Sequence, residues 1–242
     1  MKLVIDVGNT LVKLGVFEGE ELKLRKTLIK KDFLTTLTDI SETWPGIKNA
    51  IVASVGKLTQ HQSSKLIQRY NVLTLDQETK VPFKNKYSTP NTLGVDRIAL
   101  VSAAAQQFSG KNVLIIDAGT CITYDFLNEQ NEYLGGAISP GITMRYKALH
   151  HYTDKLPLLE PTPPKSLTGD STSSSLHAGV IRGALFEVEG FIDGYKNKFV
   201  NLTVILTGGD AHFLRDSLKN DIFANQNFLL EGLNHILEYN TA

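Results

Sequence analysis

The chain carries the same short pattern twice. Ile5-Asp6-Val7-Gly8-Asn9-Thr10 and Ile116-Asp117-Ala118-Gly119-Thr120 each close an apolar stretch, and each opens into another. Both read as strand, Asp-x-Gly turn with a hydroxyl, then strand. The two aspartates stand 111 residues apart in a chain of 242. A repeat at nearly half the length predicts two related α/β halves, drawn at 1–110 and 111–242.

The rest of the pattern fits such halves. Strands are predicted at 2–6, 11–17, 22–28, 49–54, 71–75, 113–117, 121–127 and 203–206, from apolar runs bounded by turn residues. Helices are predicted at 58–70, 95–108, 173–199 and 226–239, the second of them Ala-rich. A loop rich in Lys, Asn, Pro and Ser runs from Pro82 to Asn91.

Composition narrows the function classes. Lys+Arg and Asp+Glu are both 25, so the chain has no formal net charge. Nucleic-acid binders usually carry a basic footprint, and this chain has none overall. Cys121 is the one cysteine, which excludes an intrachain disulfide and a multi-cysteine metal site. The start turns polar at Asp6, too early for the apolar region of a signal peptide. No apolar run approaches the ~18 residues of a membrane helix. The expectation is a cytoplasmic soluble protein that binds neither membrane nor nucleic acid.

The paired turns suggest phosphate binding. Gly and Thr in a hairpin turn expose backbone N–H groups and a hydroxyl, and glycine admits close approach of phosphate oxygens. An Asp at the strand end suits Mg²⁺, which prefers oxygen ligands. Facing turns would grip a nucleotide's phosphates from both sides. One such turn is ordinary hairpin chemistry; two copies in matching context favour the phosphate reading. Lys13 lies within reach of the first turn, as a phosphate contact or as a solvated strand residue. Thr207-Gly208-Gly209-Asp210 follows a strand and precedes a helix, where a flat adenine could lie on the backbone. The G-x-x-x-x-G-K-[ST] phosphate loop is absent.

Gly94-Val95-Asp96-Arg97 opens the Ala-rich helix. Asp in a first turn is favoured by the helix dipole, but Arg there opposes it. The alternative to capping is chemistry: Arg holds a substrate carboxylate while Asp takes a hydroxyl proton.

The architecture resembles the actin, Hsp70 and sugar-kinase superfamily of ATP-binding proteins. That resemblance implies two duplicated ribonuclease H-like halves, an actin-like ATPase fold with mixed sheets flanked by helices. The first half would carry the first phosphate loop; the second would carry the second loop and the adenosine motif. Five motifs narrow it further: Asp6–Thr10, Gly94–Arg97, Asp117–Thr123, Gly135-Gly136-Ala137-Ile138-Ser139-Pro140-Gly141, and Gly169-Asp170-Ser171-Thr172. In that order they look like the motif set of type III pantothenate kinases. The resemblance implies ATP-dependent phosphorylation of pantothenate to 4'-phosphopantothenate, the first step of coenzyme A biosynthesis.

Residue by residue, Asp96 matches the family's catalytic base. Tyr87, Gly94, Val95, Asp96, Arg97 and Thr172 match its pantothenate contacts. Asp6, Val7, Gly8, Asn9, Thr10, Leu11, Val12 and Lys13 match the first phosphate loop, and Thr120 the second. Asp117 matches a ligand for a monovalent cation, K⁺ or NH₄⁺, alongside ATP and Mg²⁺. The family also implies a homodimer with the substrate pocket near its interface. Cys121 stands where a small residue is usual, and Asp170 where Asn is common.

Two other functions compete. One is another small-molecule kinase of the superfamily, for which Gly94–Arg97 is the discriminator. The other is a non-catalytic transcription accessory factor, against which the intact Asp6, Asp96, Asp117 and Thr120 argue. His150-His151 are expected at the surface or on a substrate lid, Cys121 in packing, and Gly135–Gly141 in a pocket loop.

Overall fold

The computed structural model describes residues 1–54 and 56–241. It divides into two compact units: Met1–Ser109 with Asn131–Tyr133 and Asn227–Ala242, and Gly110–Gln130 with Leu134–Gln226.

In the first unit, strands β1 (Lys2–Val7), β2 (Val12–Glu18), β3 (Glu21–Leu28), β4 (Asn49–Ser54) and β5 (Asn71–Thr74) form one sheet in the order β3-β2-β1-β4-β5. β1 is antiparallel to β2 and parallel to β4. The pleat sends alternate β1 residues to opposite faces. Leu3, Ile5 and Val7 pack with Phe33, Leu37 and Ile40 of α1 (Phe33–Thr43) and Leu66 of α2 (Gln60–Arg69). Asp6 therefore lies on the other face, where α3 (Val95–Gln107) and α8 (Phe228–Thr241) pack.

In the second unit, β7 (Asn112–Ala118), β8 (Cys121–Leu127), β9 (Glu132–Pro140, of which Leu134 onward belongs to this unit), β10 (Leu202–Thr207) and β11 (Phe223–Ala224) run in the order β11-β10-β7-β8-β9. β7 is antiparallel to β8 and parallel to β10. Strand for strand this repeats the first sheet, so the duplication read from two turns extends to the topology. Leu114, Ile116 and Ala118 pack with Tyr146 of α4 (Ile142–His151), Leu176 of α5 (Thr172–His177), and Val188 and Ile192 of α6 (Gly183–Lys198). A short α7 (Ala211–Arg215) follows β10.

Three expectations change. The closing helix α8, placed by sequence with the second half, groups with the first unit. Its Leu229, Leu230, Leu233 and Ile236 are buried, and Gly232 lies against the Ala99 backbone of α3. Residues 135–141 are mainly strand rather than a pocket loop. Gly135 has φ 104° and a side chain on Gly136 would run into the Tyr124 carbonyl, so these glycines serve a strand squeezed against its neighbour. The 82–91 loop contains β6 (Lys84–Asn85), which pairs in parallel with Glu132 and Tyr133 at the start of β9.

Candidate active site

In the first unit the turn after β1 is closed by Gly8 N–H donating to the Leu11 carbonyl at 3.0 Å. Asn9, Thr10 and Leu11 are exposed on it. Val7 and Val12 point into the core, which leaves only their backbone to the turn. Register pairs Asp6 with Lys13, whose Nζ stands 3.7 Å from Asp6 Oδ2. Asp6 is buried, and its carboxyl is pushed up to about 6. Burial is the main cause; Lys13 opposes it, and the nearby negative charge of Asp96 adds to it.

Asp96 comes from the first turn of α3. Its Oδ1 accepts the Arg97 backbone N–H at 2.9 Å. A side chain on Gly94, the N-cap, would strike that same oxygen. Glycine at 94 thus leaves room for the carboxylate to fold back over the helix start. Val95 is core. The Arg97 guanidinium is buried, 5.6 Å from the Tyr87 ring centroid and 6.0 Å from that of Tyr133. Tyr87 stacks on Tyr133 at 5.9 Å, and Phe83 meets Tyr133 edge-on at 6.0 Å. Two tyrosine rings thus box the guanidinium at cation–π distance.

In the second unit, Gly119 N–H donates to the Cys121 carbonyl at 2.9 Å, which closes the turn. Two other segments reach it. Gly141, the N-cap of α4, donates to the Thr120 carbonyl at 3.1 Å, and Asp210 N–H donates to the Ala118 carbonyl at 2.8 Å. Gly208, at φ 98°, has no room for a side chain between the Ala118 carbonyl and Asp117 Oδ1. Thr120 is exposed and Asp117 half-buried. Burial raises the Asp210 carboxyl, against the pull of His212.

The profile of the type III pantothenate kinase family matches residues 2–194 of this sequence. The chain belongs to the type III pantothenate kinase family. A type III pantothenate kinase from Christiangramia forsetii is 52% identical over 240 residues, covering 99% of both chains. One from Flavobacterium johnsoniae is 48% identical, covering 99% of this chain and 98% of the relative. Among solved structures, a Baf family protein from Campylobacter jejuni has a TM-score of 0.66 at 22% identity, covering 98% of each chain. A ROK family glucokinase from Streptomyces griseus has a TM-score of 0.52 at 10% identity, again covering 98% of each chain. The fold is actin-like.

Of the positions that look like the motifs of type III pantothenate kinases, the first unit brings Asp6, Lys13 and Asp96 together, and sets Tyr87 against Arg97. Asp117 and Thr120 share the second unit's turn. Thr172 also belongs to the second unit. It is exposed at the start of α5, lining a hollow of about 600 Å³ with Ser171, Asp170 and Leu176. Asp170 accepts from Ser174 Oγ at 3.0 Å, a local role within the capping turn.

Sequence reasoning missed Tyr133 and Phe83, because only the β6–β9 pairing brings Tyr133 to Arg97 and Phe83 to Tyr133. It also missed Arg145 and Glu187. Arg145 donates to the Pro140 carbonyl at 2.8 Å, to Ser139 Oγ at 2.8 Å and to Glu187 Oε2 at 2.5 Å. These bonds hold the 139–141 segment that leans on the second turn.

Proposed function

We propose that this chain transfers the γ-phosphoryl group of ATP to the primary hydroxyl of pantothenate, giving 4'-phosphopantothenate. The observation that carries the reading is Asp96. Its carboxylate is held by one oxygen on the Arg97 N–H and stands near enough to the buried Asp6 for its charge to raise that carboxyl. Asp96 Oδ2 accepts the attacking hydroxyl's hydrogen bond and takes the proton late, as leaving-group bond breaking advances. Arg97 receives the pantothenate carboxylate. The box of Tyr87 and Tyr133 supports that role over orienting Asp96, which the backbone N–H already does.

The turn amides and Lys13 are assigned to the ATP phosphates, as is Thr120. Positioning and charge stabilisation supply most of the rate. Mg²⁺ is commonly held by one or two carboxylates plus substrate phosphates. Asp6 fits that pattern, a buried oxygen donor whose ionised form lacks full compensation. Among the described residues no group of three or more His, Cys, Asp or Glu could hold a metal ion. When bound, Mg²⁺ neutralises phosphate charge. Asp117 is assigned the monovalent cation, K⁺ or NH₄⁺; its carboxylate and the Ala118 carbonyl both flank Gly208, as hard oxygen donors.

We assign a homodimer to the open face formed by the start of α6 and the loop before α5. Phe186 and Leu167 are 57% and 65% exposed there, beside Gly179 and Gly183. Among the described residues no helix is long and apolar enough to cross a membrane.

The test is pantothenate-dependent ADP release. Asp96→Asn should lower kcat by about 10²–10⁴-fold with the fold intact; near-normal turnover would remove Asp96 from the role. Replacing K⁺ by Na⁺ should lower activity, and equal rates would overturn the Asp117 assignment. Sugars in place of pantothenate should give no ADP release.

A further inference from the structure

We propose that Lys30 is a second phosphate-binding cation of the first turn. The proposal rests on the reading of that turn as the seat of the ATP phosphates.

Lys30 opens a short 3-10 turn, Lys30–Asp32, ahead of α1. That turn is pinned from outside. Gln62 Nε2 donates to the Lys30 carbonyl at 2.6 Å, and Gln62 is itself buried. Gln62 is locked in a capping box with Thr59 at the start of α2. The backbone of Lys30 is therefore fixed across 32 residues of sequence by a buried amide.

The side chain reaches the phosphate turn. A methyl group on Gly56 would come within 2.8 Å of Lys30 Nζ and would also overlap the Gly8 carbonyl. Gly56 N–H donates to the Val7 carbonyl at 2.8 Å, so Gly56 is bound to the foot of the turn. The ammonium, Gly56 and Gly8 share one small volume, in which the Gly8 carbonyl is what requires glycine at 56.

The charges there are unequal in availability. Lys13 faces Asp6 and shares its charge with that carboxylate. Among the described residues no carboxylate lies within ion-pair distance of Lys30. An ammonium at the foot of a Gly-Asn-Thr turn, without a carboxylate of its own, suits phosphate oxygens. The chain as a whole supplies no positive field, so anion binding depends on such placed cations.

The experiment compares wild type, Lys30→Met, Lys30→Arg and the exposed neighbour Lys31→Met. Calorimetry measures the Kd of a non-hydrolysable ATP analogue with Mg²⁺; steady-state assays give KM for ATP and for pantothenate. Lys30→Met should weaken analogue binding and raise KM for ATP by about 10- to 100-fold, the range for a charged hydrogen bond. KM for pantothenate should stay within about two-fold, Lys30→Arg should recover most of the loss, and Lys31→Met should match wild type. Unchanged nucleotide affinity in a folded Lys30→Met, or a lowered Tm with unchanged KM, would overturn the proposal. The two readings separate cleanly. Wild type that binds the analogue through Lys30 but does not turn over pantothenate defeats the kinase reading alone. Wild type that binds no nucleotide defeats both.

Discussion

Asp6 is ionised at neutral pH in a place that disfavours charge. Burial raises its carboxyl to about 6, with Lys13 pulling down and Asp96 pushing up. The unfolded chain gives up this proton near 3.8. Between those values the native state holds more proton than the unfolded one, so stability falls as pH rises through the window. Above pH 6 the full penalty applies. Asp6→Asn should then stabilise the ligand-free protein by about 1–3 kcal/mol at pH 8 and by almost nothing at pH 4, while abolishing turnover. Urea denaturation at the two pH values checks it; an equal effect at both would mean that Asp6 is not the strained group. The motif made Asp6, Lys13 and Asp96 legible, since two of them share a hairpin and the third opens a helix after glycine. Tyr133, Gly56 and Lys30 were not legible, because each reaches the site through pairing or packing that no local pattern encodes.

At the scale of elements, the second turn depends on its supports. Glu187 on α6 accepts from Arg145 and, at 2.8 Å, from the buried Tyr124 hydroxyl. Burial raises the Glu187 carboxyl, but hydrogen bonds from Ser139, Arg145 and Tyr124, with the charge of Arg145, outweigh it and hold it below the usual range. A depressed carboxyl contributes stability above the unfolded value, lost as pH falls through the folded one. Glu187→Ala strands the Tyr124 hydroxyl and removes one of three partners of Arg145, and should destabilise by about 1–3 kcal/mol at pH 7. The loss should shrink at acid pH, where wild type has protonated Glu187. Because Arg145 also holds the Pro140 carbonyl, KM for ATP should rise with it; thermal melts and ATP kinetics on one preparation check both. The segment 135–141 reads as loop because its three glycines erase strand propensity. Only the Tyr124 carbonyl against Gly136, and the Gly119–Thr120 carbonyls against Gly141, explain why glycine stands in and just after a strand.

For the whole molecule, the 111-residue offset predicted the duplication, and the matched strand orders extend it from two turns to two sheets. What the offset did not reveal is that the last helix returns to the first unit. Its apolar stripe fits any core, and only the partner decides which: α8 closes on α3, the helix that carries Asp96 and Arg97. The contact is close enough to be tested with glycines. A side chain on Gly232 would overlap the Ala99 carbonyl of α3, whereas one on Gly194 of α6 would meet nothing within 4 Å. Gly232→Ala should therefore destabilise by about 1–3 kcal/mol through overpacking. Gly194→Ala should stabilise by about 0.5–1 kcal/mol, since alanine restricts the unfolded chain and suits a helix. Hydrogen exchange locates the effect. In Gly232→Ala the amides of α3 should exchange faster, and kcat should fall with them because the helix start holds Asp96, the proposed base. In Gly194→Ala the α3 amides should be unchanged. Equal protection of α3 in both variants would mean that α8 does not hold the helix that presents Asp96.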